Sequence, residues 1–271
     1  MRAYARWLDG RAFAPRTPLP ALDGPGVFET VRCERGELAF LDAHLARLER
    51  GARALGLRWP PPWPPGGALQ DVARSIHEAR ALRLAWAPPH LLIVARPIDP
   101  SPEGAPALLA EPGSLAPPLP AGVKTIARAA YDARRAEAHA HGAFEVLVLA
   151  RNGELVEGTI SNVFVAKEGV LATPPLGTGA LPGIVRGALL AGLSRRPLVD
   201  SWGRTWTVAE RTLARADLER AGEVLLTNSV QRVVGLARLA GLRDDLPGSY
   251  GPVASALLAR VLELEREASP R

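Results

Sequence analysis

Lysine is almost missing from this chain: of 33 basic side chains only Lys124 and Lys167 are lysines, and the rest are arginine. Cysteine is scarcer still. The single Cys33 excludes an internal disulfide framework, fits a reducing compartment and reads as a small buried apolar residue. Aromatics make up only 5% of the residues and 28 acidic side chains are interleaved with the basic ones. The pI of 10.1 therefore goes with a net charge of only +5, and no basic stripe with aromatic interleaving exists to support nucleic-acid binding. No apolar run approaches membrane length. The N-terminal stretch MRAYARWLDGRAFAPR carries charges throughout, so neither a membrane span nor export is expected and a cytoplasmic location is. Gly24-Pro25-Gly26 lacks the third glycine of a dinucleotide fingerprint, and neither a Walker-type loop nor a Gly-x-Ser-x-Gly elbow occurs. His139 and His141, two apart on a predicted helix, face different ways, and no cysteine or carboxylate cluster completes a metal site.

The chain has 271 residues, 47% of them hydrophobic, enough for one large domain or two modest ones. Its first part reads as a small α/β unit. An extended run at 26–32 meets a turn at Arg35-Gly36, and a helix follows in which Leu41, Leu45, Leu48, Ala52 and Leu55 recur at helical spacing until Gly56. The loop PPPWPPGG (60–67), an amphipathic helix over 68–83 and a strand at 91–95 come next. The proline- and glycine-rich run EPGSLAPPLPAG (111–122) marks the linker, which divides the chain into an N-terminal domain (1–112), a connection (113–122) and a C-terminal domain (123–271).

The second domain reads as a helix over 128–141, a strand at 145–150, a hairpin at Asn152-Gly153, an extended run over 155–165, a turn at Lys167 and a strand at 170–173. A helix opened by Pro182-Gly183, a helix near 209–220, a strand at 223–227, a turn at Asn228-Ser229 and a terminal helix over 250–266 complete it. The fold class is α+β with mixed, partly antiparallel strands.

A lysine that survives in an arginine-dominated chain asks for a reason, because its amine can lose a proton and attack a carbonyl. Lys167 sits between apolar runs beside Glu168-Gly169 and is expected to be an exposed turn residue. Lys124 precedes a helix. Downstream of it lie Glu157, in a glycine-interrupted strand, and Gly183-Ile184-Val185, which opens a helix with free backbone amides. An amine, an acid and an anion site are what pyridoxal 5′-phosphate requires: the amine for a Schiff base, the carboxylate for the pyridine nitrogen, the helix end for the phosphate.

The order of these segments resembles a family. Lys124-Thr125, the run Gly153-Glu154-Leu155-Val156-Glu157-Gly158-Thr159-Ile160-Ser161-Asn162-Val163-Phe164, Thr173-Pro174-Pro175 and Leu181-Pro182-Gly183-Ile184-Val185-Arg186 are similar to the class IV (fold type IV) pyridoxal-phosphate enzymes. Aminodeoxychorismate lyase and the D-amino acid and branched-chain aminotransferases belong to that family. Gly26-Val27-Phe28-Glu29-Thr30, His44-Leu45-Ala46-Arg47-Leu48 and Leu226-Thr227-Asn228-Ser229 extend the resemblance over roughly residues 22–240.

The resemblance implies that Lys124 is catalytic and that Glu157 meets the pyridine nitrogen. It also implies that Arg47, the amides of Ile184 and Val185, and Ser229 with Val230 hold the phosphate. Phe28, Arg96 and Asn228 are the candidates for contact with a small-molecule amino substrate. Arg47 lies off the leucine stripe of its helix, so its direction is open. The resemblance further implies a homodimer and favours aminodeoxychorismate lyase, on Lys124-Thr125 and 226–229, over a class IV aminotransferase. The sequence departs from the pattern at Val185 (usually threonine), Ala127 (often asparagine), Asp23-Gly24-Pro25-Gly26 and Gly235 (a proline in relatives). A catalytically silent cofactor-binding relative is the reading these departures motivate, and a basic nucleic-acid or membrane-surface module rests only on the pI.

Overall fold

Runs of β-branched and aliphatic residues build sixteen strands, and six α-helices separate them, in a computed structural model that describes residues 6–9, 11–12, 22, 24–59, 68–100 and 104–268. The expected proline loop at 60–67, and Asp23, lie outside the described residues. Contacts divide the chain into two units, one of Met1–Asp99, Pro118–Ala127 and Glu265–Arg271, the other of Pro100–Pro117 and Arg128–Leu264. This differs from the boundary expected at 113–122. The Lys124 segment groups with the first unit because its backbone pairs with a strand there.

The first unit is one antiparallel six-stranded sheet. Its strands are β1 (Arg6–Leu8), β2 (Arg11–Ala12), β3 (Val27–Glu34), β4 (Glu37–Leu38), β5 (Arg80–Ala87) and β6 (His90–Pro97), in the order β2-β1-β6-β5-β3-β4. Helix α1 (Leu41–Ala54) buries Leu48 and Ala52 against Val27, Val31 and Cys33 of β3. The helix expected over 68–83 is only α2 (Ala68–Arg74). From Arg80 the chain is strand instead, because β5 pairs with β3 on one side and β6 on the other and its backbone is satisfied by that ladder.

The second unit contains β7 (Pro106–Leu109), α3 (Ala129–Ala140), β8 (Glu145–Leu149), β9 (Leu155–Gly158), β10 (Asn162–Lys167), β11 (Val170–Thr173), α4 (Ile184–Arg195), β12 (Leu198–Val199), β13 (Thr205–Glu210) and α5 (Arg215–Glu219). It continues with β14 (Glu223–Asn228), β15 (Arg232–Gly235), β16 (Arg238–Leu239) and α6 (Pro252–Ala268), whose last turn falls in the first unit's share. Two sheets form, β12-β13-β11-β10-β14-β15 and β16-β7-β8-β9. Both mix parallel with antiparallel pairs: β11 with β13, and β7 with β8 and β16, are parallel.

The run read as one extended stretch over 155–165 is divided here. β9 completes the hairpin with β8, the chain turns at 159–161, and β10 enters the other sheet between β11 and β14. The helix expected over 209–220 shrinks to α5, because Thr205–Glu210 pairs with β11 as a strand. Gly235 fits its position by size, since a β-carbon there would lie 2.1 Å from the Gly248 carbonyl oxygen.

Candidate active site

Lys124 is fixed by its backbone before its side chain does anything. Phe28 N–H donates to the Lys124 carbonyl at 3.0 Å, Ile126 N–H donates to Gly26 O at 3.0 Å, and Thr125 pairs with Val27 as an isolated antiparallel bridge. The Thr125 hydroxyl adds a bond to Gly26 O. Gly26 allows this approach, because a β-carbon on it would meet Ile126 Cδ1 at 2.8 Å and Trp86 O at 2.9 Å. The bridge places Lys124 beside Phe28, and Nζ stands 4.7 Å from the ring centroid. The Phe28 ring, buried, also meets the Arg83 guanidinium at 3.9 Å. Phe28 thus braces the amine.

Arg47 is buried, not an exposed helix arginine. The innermost line of α1 runs through His44, Arg47, Leu48 and Gly51, turned slightly from the expected leucine stripe, and Leu41, Leu45 and Leu55 are only half-buried. Glu29, fully buried on β3, accepts from Arg47 Nε at 2.7 Å and Nη2 at 2.6 Å, and lies 2.7 Å from His44 Nδ1. Burial alone would raise the Glu29 carboxyl, but the Arg47 charge and the hydrogen bonds from Arg47 and His44 outweigh it and hold its pKa at about 2. Burial pushes His44 below its usual range in spite of Glu29, so the ring is neutral at pH 7. A carboxylate only accepts, so Nδ1 carries the ring hydrogen and the lone pair sits on Nε2, which is buried without a partner among the described residues. Glu29 and His44 stood inside the motifs quoted from the sequence without a role. The available signal was a carboxylate within the apolar run of β3.

In the second unit, Glu157 of β9 is buried and held at both oxygens, Oε2 by Leu181 N–H at 2.9 Å and Oε1 by the Tyr131 hydroxyl at 3.4 Å. Burial and the neighbouring Glu157 charge push the Tyr131 phenol far up, so it stays a donor. Asn162 at the start of β10 donates to Leu181 O at 2.9 Å, and its Oδ1 lies 1.8 Å from where a β-carbon on Gly183 would stand. One loop therefore touches the Glu157 carboxylate and leads directly into α4. That helix begins after Gly183 with no side-chain cap, which leaves the amides of Ile184 and Val185 suited to an anion. The Val185 side chain itself is core.

The 228–230 turn is built by Asn228, whose Oδ1 accepts from Val230 N–H at 2.9 Å and Gln231 N–H at 2.8 Å while Nδ2 lies 3.5 Å from Ser161 Oγ. Both ends of its amide thus engage protein groups and shape the turn. Ser229 and Val230 on the turn are half-buried, and Arg96 at the end of β6 is exposed. Lys167 is not a turn residue. It closes β10 opposite Val170, half-buried and 3.9 Å from Glu168 Oε1, and the turn itself is Glu168-Gly169. Lys124, Phe28 and Arg47 belong to the first unit, and Glu157, Ile184, Val185, Asn228, Ser229 and Val230 to the second.

Among the described residues there is no group of three or more histidine, cysteine, aspartate or glutamate side chains placed to hold a metal, and no helix long and apolar enough to cross a membrane. What the two units present is an amine, a fixed buried carboxylate and an uncapped helix start.

Comparison with known proteins gives the same direction. The family model "Amino-transferase class IV" matches residues 26–239. The branched-chain-amino-acid aminotransferase of Escherichia coli K12 is 33% identical over 121 residues, 45% of this chain but only 36% of that enzyme, so the chain matches little more than a third of its length. A bifunctional aminodeoxychorismate lyase / D-amino acid transaminase from Mycobacterium tuberculosis is 31% identical over 254 residues, 76% of this chain and 88% of that protein. Among solved structures, a hypothetical aminotransferase from Mycobacterium tuberculosis in its PLP-bound form superimposes with a TM-score of 0.81 at 25% identity, covering 98% of this chain and 99% of that one. By the extent of these matches, the chain belongs to the class IV aminotransferase family.

Proposed function

We propose that this enzyme, whose cofactor is pyridoxal phosphate, releases pyruvate from 4-amino-4-deoxychorismate and leaves 4-aminobenzoate. The observation that carries the reading is the sequence match over most of both chains to a relative named for the lyase and a transaminase activity, whereas the curated branched-chain sequences align with only 45% of this chain.

The residues fit the cofactor. Lys124 offers a braced amine for its aldehyde, Glu157 a buried and hydrogen-bonded carboxylate for its pyridine nitrogen, and Ile184 and Val185 the open amides of an uncapped helix for its phosphate. Arg47, with Ser229 and Val230, completes the proposed phosphate set. When bound, the cofactor supplies a ring that takes up the electron pair left as a proton departs from the amine-bearing carbon of the substrate. Glu157, fixed by Leu181 N–H and the Tyr131 hydroxyl, would hold the ring nitrogen and favour its protonated form. Lys124 Nζ takes the proton from the substrate carbon as general base. Phe28 limits the directions its chain can adopt. In the lyase reaction the substrate expels enolpyruvate and its ring becomes aromatic.

The second reading, transamination to a 2-keto acid, is favoured by the names of the branched-chain relatives. Incubating the purified protein with 4-amino-4-deoxychorismate and no keto acid separates the two: pyruvate release supports the lyase, and turnover that requires an added amino acceptor overturns it. The assembly we expect is a homodimer, which sedimentation of the holoenzyme reports directly.

A further inference from the structure

Glu145, the first residue of β8, is a fully buried carboxylate outside the proposed chemistry. It accepts from Val146 N–H at 2.9 Å, Thr159 N–H at 3.0 Å, the Thr159 hydroxyl, Ile160 N–H at 3.2 Å and the Ser161 hydroxyl at 2.9 Å. Four of these five donors belong to the three residues of one turn. Gly158 lets the carboxylate come this close, since a β-carbon there would lie 2.8 Å from Glu145 Oε2. Arg128 holds the same turn from its other side, donating to Thr159 O at 2.9 Å.

The turn joins the strand of Glu157 to the strand of Asn162. Its Ser161 hydroxyl lies next to the Asn228 amide that shapes the 228–230 turn. Asn162 in turn holds Leu181, whose N–H donates to Glu157, and lies against Gly183 at the start of α4. A buried charge with five donors is costly to disturb and rigid as long as it is satisfied. We propose that Glu145 is a positioning residue for the cofactor site, setting through the Thr159–Ser161 turn both the Glu157 carboxylate and the anion-binding ends of α4 and the 228–230 turn. This rests on the reading that the chain binds pyridoxal phosphate.

The test titrates the full-length apoprotein with pyridoxal phosphate and follows the absorption of the bound cofactor against pH, in the wild type, Glu145→Gln and Ser161→Ala. Glu145→Gln keeps the side-chain volume but presents an NH2 group to donors, and it is expected to weaken cofactor binding about tenfold. Ser161→Ala removes one donor and the Asn228 contact, and about threefold is expected. In both, the pH midpoint of the bound cofactor's absorption should move, because Glu157 is no longer fixed. A merely structural role would lower the melting temperature and leave that midpoint in place. Should Glu145→Gln fail to fold, Ser161→Ala decides: weaker binding with a moved midpoint supports the role, and unchanged values overturn it. Failure of the wild type to bind pyridoxal phosphate overturns the functional reading itself, whereas wild-type binding with unaltered affinity and midpoint in the folded variants overturns the positioning role alone.

Discussion

Glu29 and Arg47 form a buried, two-pronged ion pair across β3 and α1, with bonds of 2.7 and 2.6 Å, and His44 closes on the same carboxylate. Arg47 is thereby oriented and charged in an apolar setting. Breaking such a pair from one side strands the other charge.

Stability should therefore depend on pH in a particular way. His44 and Glu29 both have folded-state pKa values below their ordinary 6.5 and 4.5. Unfolding then takes up protons as the pH falls, so their contribution is complete above about pH 7. It declines first below the ordinary histidine range and again from 4.5 toward 2. For Glu29 alone the stake is roughly 3 kcal/mol. Denaturant melts at stepped pH should show Glu29→Gln less stable than the wild type at pH 7 by about that much, with the gap narrowing toward pH 3. A constant gap would contradict the pairing.

Gly183 and Asn162 give a sharper local test. Gly183→Ala would put a β-carbon 1.8 Å from Asn162 Oδ1, so the Asn162 side chain or the start of α4 must shift. A cost of about 1–3 kcal/mol in stability is expected from the overpacking, together with weaker binding of pyridoxal phosphate measured by fluorescence titration. Unchanged affinity would show that the Asn162–Gly183 contact does not set the cofactor site.

Glu157→Gln preserves shape and an acceptor for Leu181 but not the charge. We expect kcat to fall about a hundredfold or more, while the melting temperature stays close to that of the wild type. A variant with normal kcat would show that no carboxylate is needed at the ring nitrogen.

Glu223 provides a control away from the chemistry. Its buried carboxylate accepts from Val253 and Ala254 N–H at 2.8 Å and so caps α6 from a neighbouring strand. Glu223→Ala should cost about 1–3 kcal/mol in chemical denaturation and leave kcat of the remaining folded enzyme unchanged.

Much of this was legible in residue types and spacing. The leucine repeat of α1, the Asn152-Gly153 hairpin and the Gly183 helix start all report local backbone preferences, and the structure has them. The strand at Arg80–Ala87 was hidden behind a helical reading because nothing punctuates 75–79, and only pairing with β3 and β6 decides it. The break after Gly158 was invisible for a similar reason: the donors of 159–161 are drawn to Glu145, fourteen residues upstream. Lys124, Glu157 and Ile184 could be proposed from the sequence because they are the group types the cofactor needs and they lie in motifs that resemble the family. Glu29, His44, Tyr131, Glu145 and Asn162 could not, since each acts through a partner distant in sequence.

Of the two lysines, Lys124 is the one proposed to carry the chemistry. Treating the holoenzyme with borohydride, digesting it and mapping the modified peptide measures this directly. The pyridoxyl group is predicted on Lys124 alone, and its appearance on Lys167, or on no lysine, would contradict the account.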